Sequence, residues 1–349
     1  MNCWGGEMDN NAMEIFIKNR IRGKHQFQFF MHGFVEASIK LGFKAKREVG
    51  KGGRLQKYET KLCRGLMQMT GWLWHKLMVK DKALLVTSRG QNLFSSVFPY
   101  YRYKVIPMIW DVWPGYWETL YADLRLLQCD IVFVTVRQMA EKLKADLGIK
   151  AYWIPEGIDL GDYCPGNDLF QRSIDVYELG RQKQEYNVVV ENVLQTGGVK
   201  SLVRNEYATD GSLLKLAYPT AESLLRHLPE MKIIVSFPQC DTHPENAGNL
   251  ETLTQRYWEA MLSRCLIVGR APKELTDLIG YNPVIDVDWK APEDQLTNIL
   301  SHIADYQEYV NKNYTIALKY ASWDNRIKQV RSILVSEGYN GFYNDQSAL

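Results

Sequence analysis

In ETLTQRYWEAMLS (251–263), Glu251 and Glu259 stand eight residues apart, and a strand-like CLIVG (265–269) follows at once. Carboxylates accept hydrogen bonds from hydroxyls, as the vicinal diols of a ribose or a sugar require, but they repel phosphate. Amides at a helix start do the reverse and hold anions. Glu259 falls at the edge of an apolar face made by Tyr257, Trp258, Met261 and Leu262. Thr252, Leu253 and Thr254 stand at the helix start and offer amides to a diphosphate. Spacing alone leaves two readings open. One is a ligand-binding pair. The other is structural, with Glu259 paired to Arg256 or Arg264 and Glu251 favoured by the helix dipole.

Other candidates are scattered. Asp111, after KVIPMIW (104–110), either orients a hydroxyl or caps the following segment. Arg22, Gly23 and Lys24, in the turn Arg20 to His25, either meet an anion or form an exposed basic turn. Lys183 is either a phosphate partner or a solvated loop lysine. His32, His75 and His243 form no recognisable cluster, and His243 lies on a long polar loop, QCDTHPENAGN (239–249). No HExxH pattern points to a metal, and Asp286-x-Asp288 ends a strand outside the motif region.

Alternating strands and helices must position these residues. MEIFIKN (13–19), FKAKREV (43–49), ALLVTS (83–88), KVIPMIWD (104–111) and DIVFVTV (130–136) read as strands. QFQFFMHGFVEASIKLG (26–42) and RQMAEKLKADLG (137–148) read as helices, and GKGGRLQK (50–57) as a loop. AYWIPEGID (151–159) closes this series, and turn-rich GDYCPGND (161–168) reads as a linker. SIDVYELG (173–180), MKIIVSFP (231–238), CLIVG and PVIDVD (283–288) are the strands of a second series, with AESLLRHL (221–228) and TQRYWEAMLS (254–263) as helices between them. Such alternation predicts α/β architecture with two Rossmann-like, doubly wound domains facing a cleft, and ligands at the carboxyl ends of the strands. The expected divisions are 1–157, 158–320 and a helical tail, 321–349, packing back toward the first domain.

The net charge of +2 hides an asymmetry. Residues 1–150 carry 24 Lys and Arg against 13 Asp and Glu, and residues 151–349 carry 18 against 27. The basic excess concentrates in residues 18–104, with 19 against 4. That suits a phosphorylated ligand, an anionic membrane face or a nucleic acid, although no nucleic-acid recognition motif accompanies it. No run of 18 apolar residues predicts a transmembrane helix, and the N-terminus lacks a signal-peptide pattern. Six cysteines without a CxxC pair fit free thiols in a reducing cytosol. KLCRGLMQMTGWLWHKLMVK (61–80) mixes basic residues with Trp, Leu and Met, and is either a core helix or a segment lying on an anionic membrane.

Five segments in register resemble GT-B-fold glycosyltransferases, particularly the large retaining class that includes family 4. YWIPEGIDLGDYCP (152–165) resembles the link between the two domains. IDVYELGR (174–181) resembles the strand and Gly-Arg that open the donor domain, and IIVSFP (233–238) the strand that ends at the donor pocket. ETLTQRYWEAMLSRCLIVG (251–269) resembles the E-x7-E helix with its strand, and RAPKEL (270–275) the loop after it. The likeness covers most of residues 105–289 and is weak in residues 1–100, where acceptors bind in that class.

The resemblance implies that Glu259 binds the ribose of a nucleotide-diphosphate sugar and that Glu251 stands by the transferred sugar. It implies that amides of Thr252, Leu253 and Thr254 serve donor phosphate or sugar, although relatives often have Gly-Phe-Gly there. Arg181 matches the arginine facing the leaving diphosphate. The lysine that usually follows is missing, and Lys183 is a substitute at the wrong spacing. Asp111 matches the Asp of a His-Asp pair, with Trp110 in place of the His. Arg22, Gly23 and Lys24 occupy the place of the glycine-rich loop. The implied activity is retaining, metal-independent glycosyl transfer with no cofactor beyond the donor substrate. The implied acceptor is a saccharide or lipid-linked saccharide of cell-envelope polysaccharide or glycolipid assembly, handled in the cytoplasm or at the inner membrane face. The alternatives are a sugar-nucleotide epimerase of the same fold and a non-catalytic nucleotide-sugar binding protein.

Overall fold

The computed structural model describes residues 13–18, 29–46, 54–71, 77–79, 81–178, 180, 182–208, 213–339 and 341–342. Arg22, Gly23, Lys24, His75 and Arg181 lie outside them. Two compact units form. The first holds Phe34–Ile154 and Arg326–Leu349 together with the first strand, and the second holds Pro155–Asn325.

The first unit is built on a six-stranded parallel sheet. Its strands are β1 (Glu14–Lys18), β2 (Lys44–Lys46), β3 (Lys82–Arg89), β4 (Lys104–Trp110), β5 (Ile131–Val134) and β6 (Lys150–Trp153), in the order β2-β1-β3-β4-β5-β6. Residues Ala83 to Ser88 of β3 are all buried. A parallel strand covered on both faces requires such an apolar run. Chain order reverses between β1 and β3, which is where doubly wound sheets open a crevice at their carboxyl edge. The tail belongs to this unit: Tyr152 donates to Glu337 Oε1 at 2.5 Å.

The second unit has a five-stranded parallel sheet of β7 (Ile174–Glu178), β8 (Leu202–Arg204), β11 (Met231–Ser236), β12 (Leu266–Gly269) and β13 (Ile285–Asp286). The order is β13-β12-β11-β7-β8, so the reversal falls between β7 and β11. A hairpin of β9 (Glu206–Tyr207) and β10 (Leu213–Lys215) stands apart from it. Strands β8, β9 and β10, of two or three residues each, fall below the length at which alternation is readable.

Two sequence expectations need correction. GKGGRLQK is not all loop, because a helix, Arg54–Met69, begins within it. QCDTHPENAGN is not an open loop, because two helical turns, Gln239–Thr242 and Pro244–Ala247, occupy it. Among the described residues no helix is long and apolar enough to cross a membrane.

Strand β12 ends against β11 with no room for a side chain. Gly269 has φ +146, and a Cβ there would stand 2.0 Å from the Ser236 carbonyl oxygen. Gly269→Ala should therefore destabilise the protein by at least about 3 kcal/mol. The urea midpoint checks this, and an unchanged midpoint would refute the close approach.

Candidate functional site

In the second unit the site residues gather at the carboxyl ends of β7, β11 and β12. The helix of the two glutamates runs Gln255–Leu262, with Tyr257, Trp258, Met261 and Leu262 buried beneath it. The helix starts after Thr254, so Thr252, Leu253 and Thr254 precede it. Two of the amides at this start are committed to protein carboxylates. Leu253 N–H donates to Glu274 Oε2 at 2.9 Å, and Gln255 N–H to Glu156 Oε2 at 3.0 Å. Thr252 is buried. The expectation that Leu253 serves a phosphate is thus met by a competitor already in place, the buried Glu274. Glu156, from the PEGID segment, also accepts the Trp258 indole N–H on its carbonyl at 3.0 Å. That segment and the helix are therefore one rigid piece.

Glu251 does not ride the dipole of its own helix. Its Oε1 accepts from Arg270 Nη1 and its Oε2 from the Lys273 amide, both at 2.6 Å, which caps the helix Lys273–Ile279. Arg270 also holds Asp241, with Nε at 2.5 Å from Oδ2 and Nη2 at 2.9 Å from Oδ1. The paired carboxylates, Asp241 foremost, raise its already high pKa. Lys183 joins this chain by donating Nζ–H to the Asp241 carbonyl at 3.3 Å, and it lies 3.5 Å from Glu185. Sequence reading placed Lys183 and Glu251 at one ligand; the structure links them through Asp241 and Arg270, which no spacing rule singled out.

Glu259 stands in a second cluster. It is half-buried, and Tyr163, from the linker, donates Oη–H to its Oε1 at 3.2 Å. Among the described residues Oε2 has no hydrogen-bond partner. Burial raises the carboxyl pKa, and the Arg256 charge opposes that rise. Neither Arg256 nor Arg264 makes the expected ion pair with Glu259. Arg264 instead donates to the Gly166 carbonyl and to Asn311. Arg256 makes no ion pair among the described residues, and its guanidinium lies over the backbone after β7. A Cβ on Gly180 would stand 2.7 Å from Arg256 Nη2. An arginine between the two glutamates was visible in the sequence, but nothing there aimed it at Gly180.

Behind this edge, Glu178 ends β7 fully buried, with Arg204 Nη1 at 3.4 Å. Burial pushes its carboxyl up to about 7, against the lowering effect of Arg204. Arg204 also pairs with Glu191 and lines a cavity of about 570 Å³ with Gln182, Asn187, Asn205, Tyr207 and His243.

In the first unit, Asp111 follows β4 in the left-handed region, with φ +51. Its half-exposed carboxylate lies 3.1 Å from Arg89 Nε at the end of β3. Trp110, in the place of the family's histidine, is buried against Phe34 with ring centroids 5.6 Å apart. It packs in the core, while Asp111 faces outward. His32 is likewise buried.

No protein-family model matches the chain, and neither does any curated protein sequence. Solved structures do match. Sucrose-phosphate synthase from Thermosynechococcus elongatus superimposes with a TM-score of 0.56 at 12% identity, over 93% of this chain and 99% of that one. HepE from Anabaena, in complex with UDP and glucose, gives 0.55 at 9% identity, over 93% and 100%. TarM gives 0.52 at 11% identity over 76% of this chain, which spans 58% of that protein's length. The fold is that of the GT-B glycosyltransferases. In these terms the two parallel sheets are its two Rossmann-like domains, and the Glu251–Glu259 helix belongs to the second.

The raised Glu178 pKa makes a sign-definite prediction. The folded chain holds this proton more tightly than the unfolded chain, whose carboxyl titrates near the ordinary 4.5. The contribution to stability is full below that value and is lost as pH rises through about 7. Between pH 5 and 8, wild-type stability should fall by roughly 3 kcal/mol more than that of Glu178→Gln. Parallel stability curves in urea titrations would rule this out.

Proposed function

We propose that this chain is a glycosyltransferase that moves a sugar from a nucleotide-diphosphate sugar to an acceptor hydroxyl. The observation that carries this reading is the pairing, at one sheet edge, of a partly open carboxylate with an uncommitted guanidinium. Glu259 Oε2 is suited to a ribose diol, and Arg256 over Gly180 to the diphosphate. Neighbouring folds solved with UDP and glucose support that assignment.

In this reading Arg256 supplies the charge of the lysine missing after Arg181. Negative charge develops on the leaving diphosphate as the glycosidic bond breaks, and a fixed cation in a partly dry site stabilises it. Arg270 is neutralised by two carboxylates and instead holds Glu251 rigid beside the sugar. Lys183 steadies the Asp241 backbone, and Arg181 keeps the role its motif implies. The reaction is retaining and metal-independent: a departing phosphate oxygen takes the acceptor proton, and no protein nucleophile intervenes. Asp111, held by Arg89 in a strained backbone, orients a hydroxyl on the acceptor side.

The acceptor in this proposal is a saccharide or lipid-linked saccharide of envelope assembly, met at the inner membrane face. The helix Arg54–Met69 supports that location. Tyr58, Leu62, Leu66 and Met69 recur along one of its faces and are 71%, 64%, 44% and 83% exposed. This helix is thus apolar on its outer side, with Lys57 and Lys61 flanking the stripe. An apolar stripe edged by lysines is the pattern of a helix lying in an anionic interface.

Purified protein incubated with nucleotide sugars, with and without crude lipid acceptor, should release nucleoside diphosphate. An isomerised sugar nucleotide would mean an epimerase, and binding without release a non-catalytic protein. Glu259→Ala should weaken donor affinity by about tenfold or more through one lost charged hydrogen bond. Arg256→Ala should lower turnover by about a hundredfold. Unchanged donor affinity in the first variant would remove the ribose assignment. Separately, a Leu62→Glu, Leu66→Glu double variant should lose sedimentation with anionic vesicles while melting as wild type does. Retained sedimentation would place membrane contact elsewhere.

A further inference from the structure

Beyond β13 the chain turns sharply, and the turn carries a tryptophan. Asp288 Oδ1 accepts the Lys290 N–H at 3.0 Å, and the Asp288 carbonyl accepts the Ala291 N–H at 3.2 Å. The Asp288 N–H donates to Gln295 Oε1 at 2.9 Å. Trp289 stands within this turn, so its backbone is pinned, yet its side chain is 50% exposed.

The ring is braced as well. Tyr186, from the helix Gln184–Gln195, meets it edge to face with centroids 6.2 Å apart, and Phe237, just after β11, lies 6.3 Å away. Both are buried. Lys183 Nζ lies 5.7 Å from the ring centroid, within cation–π range. These contacts carry Trp289 from the outermost strand, β13, to the carboxyl ends of β7 and β11. Single exposed aromatic side chains are ordinary on a surface. One pinned in a turn and braced on two buried rings, at the edge where ligands bind, is a fixed apolar face open to solvent.

Lys183 ties this face to one end of the candidate site. It donates to the Asp241 carbonyl, Asp241 pairs with Arg270, and Arg270 holds Glu251. Glu259 stands at the other end. Tyr186 and Phe237 pack with Val176, Ile233 and Val235, whereas the glutamate helix packs on Tyr177 and Ile234. Alternate strand residues face opposite sides of a sheet, so the edge of the sheet separates Trp289 from the Glu259 helix.

We propose that Trp289 is the platform on which the transferred sugar of the donor lies. This rests on the glycosyltransferase reading and makes Trp289 a specificity-determining residue within it. An indole face is apolar and electron-rich, and a pyranose ring presents C–H groups to such a face. Phosphate is excluded from it by like charge. A nucleobase could stack there, but the carboxylate suited to the ribose lies at the opposite end. Sugar hydroxyls at the ring's rim would meet Lys183. Two of its three ammonium donors face the Asp241 carbonyl at 3.3 Å and Glu185 at 3.5 Å, which leaves one.

Calorimetric titration of the full chain tests this, with UDP-glucose, UDP-galactose and UDP-N-acetylglucosamine beside UDP, and GDP-mannose beside GDP. Trp289→Leu keeps an apolar contact for Tyr186 and Phe237 and removes the ring. It should weaken the tightest sugar nucleotide by about fivefold or more and leave the free diphosphate unchanged, while Trp289→Phe retains most of the affinity. Equal loss for both would put the ring against base or phosphate, and no loss for either would remove it from the site. Each result overturns the inference and leaves the glycosyltransferase reading standing. If wild type binds none of these nucleotides, that reading fails and the sugar platform fails with it. If Trp289→Leu melts early, the Trp289 indole N–H resonance of the wild type decides, assigned by its absence from Trp289→Phe. It should move with the sugar nucleotide and hold with the diphosphate; equal movement, or none with either, would overturn the assignment.

Discussion

One guanidinium organises the carboxyl edge of the second sheet. Arg270 leaves β12 at a glycine pressed onto the Ser236 carbonyl, so its backbone has little freedom. From there it gathers Asp241 and Glu251, residues from two other segments. The three side chains are only partly exposed, and removing Arg270 would leave two carboxylates without the cation they share. The Lys273–Ile279 helix, Lys183 and the turn at Asp241 all take their places from this knot. Without it Glu251 would be a loop carboxylate with no defined direction.

The same edge resolves a conflict of charge. A helix start attracts anions, yet here Glu156 and Glu274 already occupy amides that a phosphate would use. Carboxylates and phosphate cannot share those donors. In the proposed glycosyltransferase the stabilisation of a diphosphate therefore falls to side-chain cations near the loop after β7. Thr252 and Leu253 are buried, so that stretch between the glutamates turns inward.

Much of this was legible from the chain. Strands buried on both faces announce themselves as unbroken apolar runs, and Ala83–Ser88, Ile131–Val134 and Leu266–Gly269 did so. The two-sheet fold followed from their alternation with helices. Within the site, Glu251 and Glu259 were marked by motif, and Lys183 only as a substitute at the wrong spacing, but their partners were not. Arg270, Asp241, Glu274 and Tyr163 act across sequence distances of 19 to 96 residues, and periodicity carries no information about such pairings. The helix Arg54–Met69 spans two stretches read apart, a loop over 50–57 and, over 61–80, either a core helix or a membrane-surface segment. Its apolar spacing is genuine, but spacing does not say whether an apolar face meets the core or the exterior.

Charge at large scale and charge at the site point in opposite directions. The second half of the chain is acidic, 18 against 27, yet it houses the candidate site for a diphosphate. Long-range attraction cannot hold the donor there, since beyond a Debye length of about 8 Å such fields are screened at physiological salt. Affinity must come from contacts, and among local cations only one that carries no carboxylate contributes net charge. Arg270 carries two, and Lys183 lies near Glu185. Arg256 is left as the described residue able to meet phosphate without first breaking an ion pair. The basic first half has the opposite character, with 24 Lys and Arg against 13 Asp and Glu over residues 1–150. An anionic partner approaching that half is drawn by the whole surface before any contact forms. Screening confines that attraction to about the same Debye length, so in both halves affinity depends on contacts.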